Sequence, residues 1–156
     1  MVWRGSIEPL DRLWGSLPYL LPLAAVVGFG EPVFQAFPPL LFFFRPLIPL
    51  LSIAAAGGFI IFILLFFLVV NNPRIKHFIR FNTMQAIMTQ IAVILVVLVF
   101  QLLSALGLGF GALGQVIFST LFLAVTAITV YAWIQNARGH YPEIPTLSDA
   151  AYSRIR

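Results

Sequence analysis

The chain has 156 residues, of which 61% are hydrophobic and 9% charged, with no cysteine and a net charge of +4. Soluble domains carry about a quarter charged residues; a chain this poor in charge cannot cover a water-exposed surface, so lipid must be the solvent for most of it. Without cysteine there are no disulfides, no thiolate catalysis and no Cys-based metal sites, and the positive charges are too sparse and interrupted for a nucleic-acid face.

The first apolar run, residues 17–30 (LPYLLPLAAVVGFG), is short for a span and carries two prolines. Pro18 suits a first helical turn, and Pro22 predicts a kink. Residues 31–45 (EPVFQAFPPLLFFFR) follow. Their apolar part is too short to cross about 30 Å of hydrocarbon, and Pro38–Pro39 interrupts it. An interfacial or re-entrant segment is expected, with Arg45 snorkelling to the headgroups; a tilted extension of the first helix past Glu31 is the alternative. The second span, 49–70, opens after Pro46 and Pro49 and stops at Asn71, Asn72 and Pro73. Ala54, Gly57 and Gly58 give it narrow spots for close helix contact.

The third span is 84–106, closed by GLGFGALG, which reads as a flexible hairpin. The fourth is 115–135, closed by NARG. The expected architecture is a single all-α integral membrane domain over residues 1–156. It has four transmembrane helices, an interfacial segment between the first two, short amphiphilic termini and a tail at 137–156.

Basic residues in short loops concentrate on the cytoplasmic side. With four spans, the N-terminus, the loop 71–83 and the tail share one face. That face holds Arg4, Arg12, Arg74, Lys76, Arg80, Arg138, Arg154 and Arg156, and the opposite face holds only Arg45. Both termini are therefore expected inside. No cleavable signal sequence is read ahead of the first span.

The polar residues decide the chemistry. Between Glu31 and Glu143 there is no acidic residue, so no intramembrane carboxylate can carry a coupling ion. His77 and His140 fall in inside-facing loops, where they are expected to be solvated rather than cofactor ligands. No nucleophile triad, metal-ligand spacing or phosphate loop is present. Neither an enzyme nor a cofactor-binding protein is expected. At helical spacing Asn82, Gln85, Ala86 and Thr89 share one face of the third helix. Gln115, Ser119, Thr126 and Thr129 form a stripe on the fourth, continued by Trp133 and Asn136. These stripes read either as helix-packing contacts or as the lining of a hydrophilic path. Arg74, Lys76 and Arg80 are candidate contacts for anionic lipid headgroups. Thr146 or Ser148 is placed to cap a short helix in the tail, and docking of that tail on the central loop would bring Glu143 or Asp149 to Arg74 or Arg80.

The stretches LPYLLPL (17–23), PLIPL (46–50), FIRFNTMQAI (78–87) and YPEIPTLSDAAY (141–152) resemble, in order and spacing, the Tic-twenty (Tic20-like) family: the channel-type subunit of the chloroplast inner-envelope translocon and its cyanobacterial relatives. The resemblance runs from about Leu13 to Tyr152. It implies a membrane-embedded component of a preprotein translocon that works with other membrane subunits or with itself. A small-solute channel and a structural subunit of a larger, photosynthetic complex remain alternatives. The absent transit segment and the preference for Arg over Lys fit a cyanobacterial homologue in a plasma or thylakoid membrane. The two specific motifs fall on one face, which makes Arg80, Asn82, Gln85, Pro142, Glu143, Pro145 and Asp149 candidate residues of a partner platform. Membrane lipids are expected partners; nucleic acid is not.

Overall fold

Helices start where backbone donors find side-chain acceptors, and the first of them starts earlier than its apolar run. In the computed structural model, which describes residues 6–155, α1 spans Pro9–Ala36. Pro9 occupies its first turn, and the Glu8 backbone N–H donates to Asp11 Oδ2 at 2.8 Å, which closes the helix entry. Pro18 and Pro22 do not end the helix. It tightens to 3-10 turns at Leu17–Tyr19 and Val27–Gly30 instead. Residues 31–36 continue α1, so the first part of the expected interfacial segment belongs to the first helix, as the extension reading had it.

Phe37 leaves helical geometry, and α2 (Pro38–Phe44) begins with the proline pair in its first turn. It joins α3 (Ile48–Ala56) through a bend of 69°. Gly57 separates α3 from α4 (Gly58–Val70), although backbone bonds pass across it. The single second span expected over 49–70 is thus two shorter helices. Three helices, α1, α5 (His77–Ala105) and α6 (Gly111–Ala137), are individually long and apolar enough to cross a membrane, and the bent pair α2–α3 would make a fourth. The last turn of α4 widens to a π turn, Asn71 N–H to the Phe66 carbonyl. Asn72 then accepts the Arg74 N–H in an Asx turn that leads to α5. At the far end Gly107 (φ +83°) and Gly111 (φ +42°) take left-handed geometry to turn the chain into α6. The short α7 (Leu147–Arg154) closes the tail.

The centre of the bundle is α1, which packs broadly on α3, α5 and α6. The two long helices do not pack broadly on each other. Ring contacts of Phe100 with Phe110 (4.9 Å) and Phe118 (5.1 Å) join them at the hairpin end. The main core gathers Leu20, Leu23 and Val26 of α1 with Phe44, Leu51, Val93, Phe122 and Val125. A second core sets Ala151 and Ile155 of the tail against Val70, Phe81, Met84 and Ile87. Leu95, Leu102, Leu113 and Val116 stay exposed on the long helices, as lipid-facing side chains must.

Arg4 and Arg156 of the charge count lie outside the described residues. The fold supplies good reporter positions for the topology. Arg74 and Leu108 are exposed at opposite ends of α5, whereas Phe78 is 3% exposed and unsuited to labelling. Arg74→Cys and Leu108→Cys are expected to react with an impermeant maleimide from opposite sides of the membrane. Reaction of both from one side would remove α5 as a span.

Candidate functional site

The expected face of α5 is fully buried, and its polar atoms converge on one side chain. Asn82 and Gln85 are 0% exposed and Thr89 is 3% exposed. Tyr19 of α1 donates its hydroxyl proton to Gln85 Oε1 at 2.8 Å and has a longer approach, 3.3 Å, to Asn82 Oδ1. Gln85 Nε2 donates to the Pro142 carbonyl at 3.0 Å and to Ser148 Oγ at 2.7 Å. The Pro142 carbonyl can only accept, which fixes the amide orientation and requires Tyr19 to be the donor. One glutamine therefore ties α1, α5 and the tail together with both its N–H groups and its oxygen in use. Such a joint is costly to leave half made, because each buried partner has no water to fall back on. Gly15 makes the approach possible: a Cβ there would stand 3.0 Å from the Phe78 ring and 3.3 Å from Asn82 Nδ2.

Around the joint the tail is held by local chemistry. Ser148 Oγ accepts the Ile144 N–H at 2.6 Å, which folds residues 144–148 into the start of α7. Thr146, the other expected cap residue, has φ +67° and makes no side-chain cap bond. His77 is not a solvated loop residue. It opens α5 and stacks among Phe81, Tyr141 and Tyr152, with Nδ1 3.1 Å from the Tyr141 hydroxyl. His140 lies in the exposed turn after α6.

The expected ion pairs from the tail to the loop do not form. Lys76 pairs instead with Asp11 at 2.7 Å and with Glu8 at 3.4 Å. The N-terminal end of α1, not the tail, lies beside the loop's ammonium. The hydrogen bond to Asp11 raises the Lys76 pKa above its ordinary value. Arg80 donates from Nε to the Val70 carbonyl at 2.9 Å, meeting the negative end of α4. Arg74 is exposed. Lys76 thus meets carboxylates within the chain, whereas Arg74 and Arg80 have no carboxylate partner among the described residues. Pro142 is buried beneath the joint, while Glu143, Pro145 and Asp149 are exposed on its outer side.

The stripe on α6 faces α1 as well. Trp133 Nε1 donates to the Ser16 carbonyl at 2.9 Å, Asn136 Nδ2 to Ser16 Oγ at 3.2 Å, and Ser119 makes a long 3.5 Å contact with the Phe29 carbonyl. Thr129 is buried, and the hydroxyls of Thr126 and Thr129 find no partner among the described residues. Gln115 is exposed near the hairpin beside Gln101 and Ser104. Ser119, Trp133 and Asn136 therefore meet α1, as Asn82 and Gln85 do, whereas Gln115 lies at the hairpin end beside α5. Sequence reasoning missed Tyr19, Asp11 and Ser16. Tyr19, a polar-tipped residue inside an apolar run, was the available signal.

Residues 9–151 match the family described as "Chloroplast import apparatus Tic20-like". The chain is 40% identical to a "Tic20 family protein" of Synechocystis sp. over 100% of this chain and 99% of that one. It is 29% identical to "Protein TIC 20-II, chloroplastic" of Arabidopsis thaliana, covering 95% of this chain and 75% of the relative. It is also 29% identical to "Protein TIC 20-v, chloroplastic" of the same plant, covering 96% and 73%. A multi-pass all-α membrane chain matched over nearly its whole length in this way belongs to the Tic20 family.

Proposed function

We propose that this chain is the membrane-embedded subunit of a protein-translocating assembly, and that the outer side of the Gln85 joint is its partner contact. Membership in the Tic20 family supports a translocon-like component. The observation that supports the finer reading is the joint itself: it fixes Pro142 and Ser148, and the adjoining Glu143, Pro145 and Asp149 are exposed. Rigid presentation of polar groups is what a specific protein interface needs. Because α1 occupies the centre, a single chain encloses no polypeptide-wide path, and a conduit requires further copies or subunits. In this reading the host is a cyanobacterial plasma or thylakoid membrane, with both termini cytoplasmic.

The test separates contact from folding. Glu143→Arg with Asp149→Arg alters only exposed side chains and should cost no more than about 1 kcal/mol, chiefly from the reversed charge in the first turn of α7. It is expected to shrink the native-gel complex and to fail in rescuing a null strain. Deleting residues 141–156 should do the same with intact membrane insertion. Full rescue with unchanged complex size would refute the platform. Co-purification in mild detergent identifies the assembly. Preprotein-handling partners support the proposal, photosystem subunits would assign the chain to a structural role, and solute flux by the purified protein alone would assign it to a channel.

A further inference from the structure

Beside α1, on the side away from α6, the bundle leaves an apolar cleft of about 350 Å³. Its walls include Trp14 of α1, Ile53 and Ala54 of α3, Val69 of α4, and Ile79 and Thr83 of α5. Apart from the Trp14 indole N–H, its one polar lining group is the Thr83 hydroxyl. That hydroxyl is already spent on the Ile79 carbonyl at 2.8 Å. An occupant of this cleft has to be hydrocarbon.

We infer that the cleft holds one acyl chain of an anionic phospholipid whose headgroup is met by Arg80. The size selects a chain. A cavity of about 150 Å³ takes a six-carbon benzene ring, so this one takes roughly 14 carbons in line. A partner helix does not fit, since one turn about 10 Å wide and 5.4 Å tall occupies roughly 400 Å³. The charge selects the head. Lys76, Ile79, Arg80 and Thr83 share one face of α5 by their spacing, and Ile79 and Thr83 line the cleft. Lys76 is neutralised by Asp11 and Glu8. Arg80 has no carboxylate partner among the described residues, and its Nε bond to Val70 anchors the guanidinium next to the lining residue Val69. Trp14 lines the cleft and is exposed, as an interfacial aromatic is. Unneutralised positive charge at one end of a hydrocarbon slot is complementary to an amphiphile with a negative head. The inference stands apart from the translocation role.

Native mass spectrometry of the full-length protein, exchanged into detergent carrying either phosphatidylglycerol or phosphatidylcholine of the same chains, reads this directly. One phosphatidylglycerol per chain is expected to survive, in preference to phosphatidylcholine. Arg80→Gln should weaken that preference roughly fivefold, the share of one arginine near an anionic surface, and Arg80→Lys should restore most of it. Ile53→Trp fills the mouth from an exposed position, 67% accessible in the parent, and should displace both lipids. Leu50→Trp, also on the wall and exposed, repeats the test if the first variant loses helicity by circular dichroism. Absence of a retained lipid, retention unchanged by both tryptophan variants, or equal retention of the two lipids would each overturn the assignment. Myristate binding as tightly as phosphatidylglycerol would overturn the headgroup half of it.

Discussion

Gln85→Leu is expected to release the tail while leaving the long helices in the membrane. Leucine roughly matches the volume but leaves the Pro142 carbonyl only the long 3.5 Å approach of Ser148 Oγ, and takes the best acceptor from Tyr19, whose remaining approach to Asn82 is 3.3 Å. Buried groups left unpaired cost roughly 1–3 kcal/mol each, so a loss of about 3 kcal/mol is expected. Thermal unfolding in detergent measures it, and trypsin gives the location: cleavage after Arg138 should accelerate well beyond the parent rate. Gln85→Glu tests the donor role separately. An ionised carboxylate donates nothing to Pro142, so the deficit of this variant should narrow as pH falls and the carboxyl acquires a proton. Parent-like trypsin resistance in Gln85→Leu would mean that the second core alone holds the tail.

The second large effect belongs to the hydrocarbon core. Phe122 is 0% exposed and packs against Phe34 at 5.2 Å and Phe44 at 5.5 Å, which joins α6 to both sides of the α1–α2 corner. Phe122→Ala should cost about 3–5 kcal/mol, and Phe122→Leu less than about 1.5 kcal/mol. Gly30 makes the test sharper. A Cβ at Gly30 would lie 2.9 Å from the Phe122 ring and 2.9 Å from Phe34. Gly30→Ala should therefore destabilise the parent, and part of its cost should vanish in the Phe122→Ala background. A coupling of about 0.5–3 kcal/mol between contacting sites is the expected result; strict additivity would show that the ring and the glycine do not press on each other.

The reach of sequence reasoning follows the range of the interactions involved. The spans of α5 and α6 were legible because hydropathy over about 20 residues is a local property. The buried face through Asn82, Gln85 and Thr89 was legible from helical spacing. The start of α1 was not, because its first turn is polar and is fixed by Asp11 and Pro9 rather than by burial. The intrachain partners of Lys76 were not foreseen, for a related reason. The chain has five acidic residues, and only the packing of α1 against α5 brings Asp11, 65 positions away, and Glu8 to Lys76. The division of 49–70 at Gly57 and the turn at Phe37 depend on how α2 and α3 find their places beside α1, which no window of sequence encodes.

The Gln85 joint also sets the order in which this protein can be completed as it is made. Tyr19 precedes Gln85 by 66 residues, and Gln85 precedes Ser148 by 63. At about 5–20 residues per second, the tyrosine waits in the bilayer for on the order of ten seconds before the tail that finishes its network leaves the ribosome. Until then α1, the centre of the final bundle, packs on its neighbouring helices with that network unfinished. The tail after α6 closes the structure begun by the first span, so a ribosome that stalls after α6 leaves an inserted chain with its central hydrogen-bond network open.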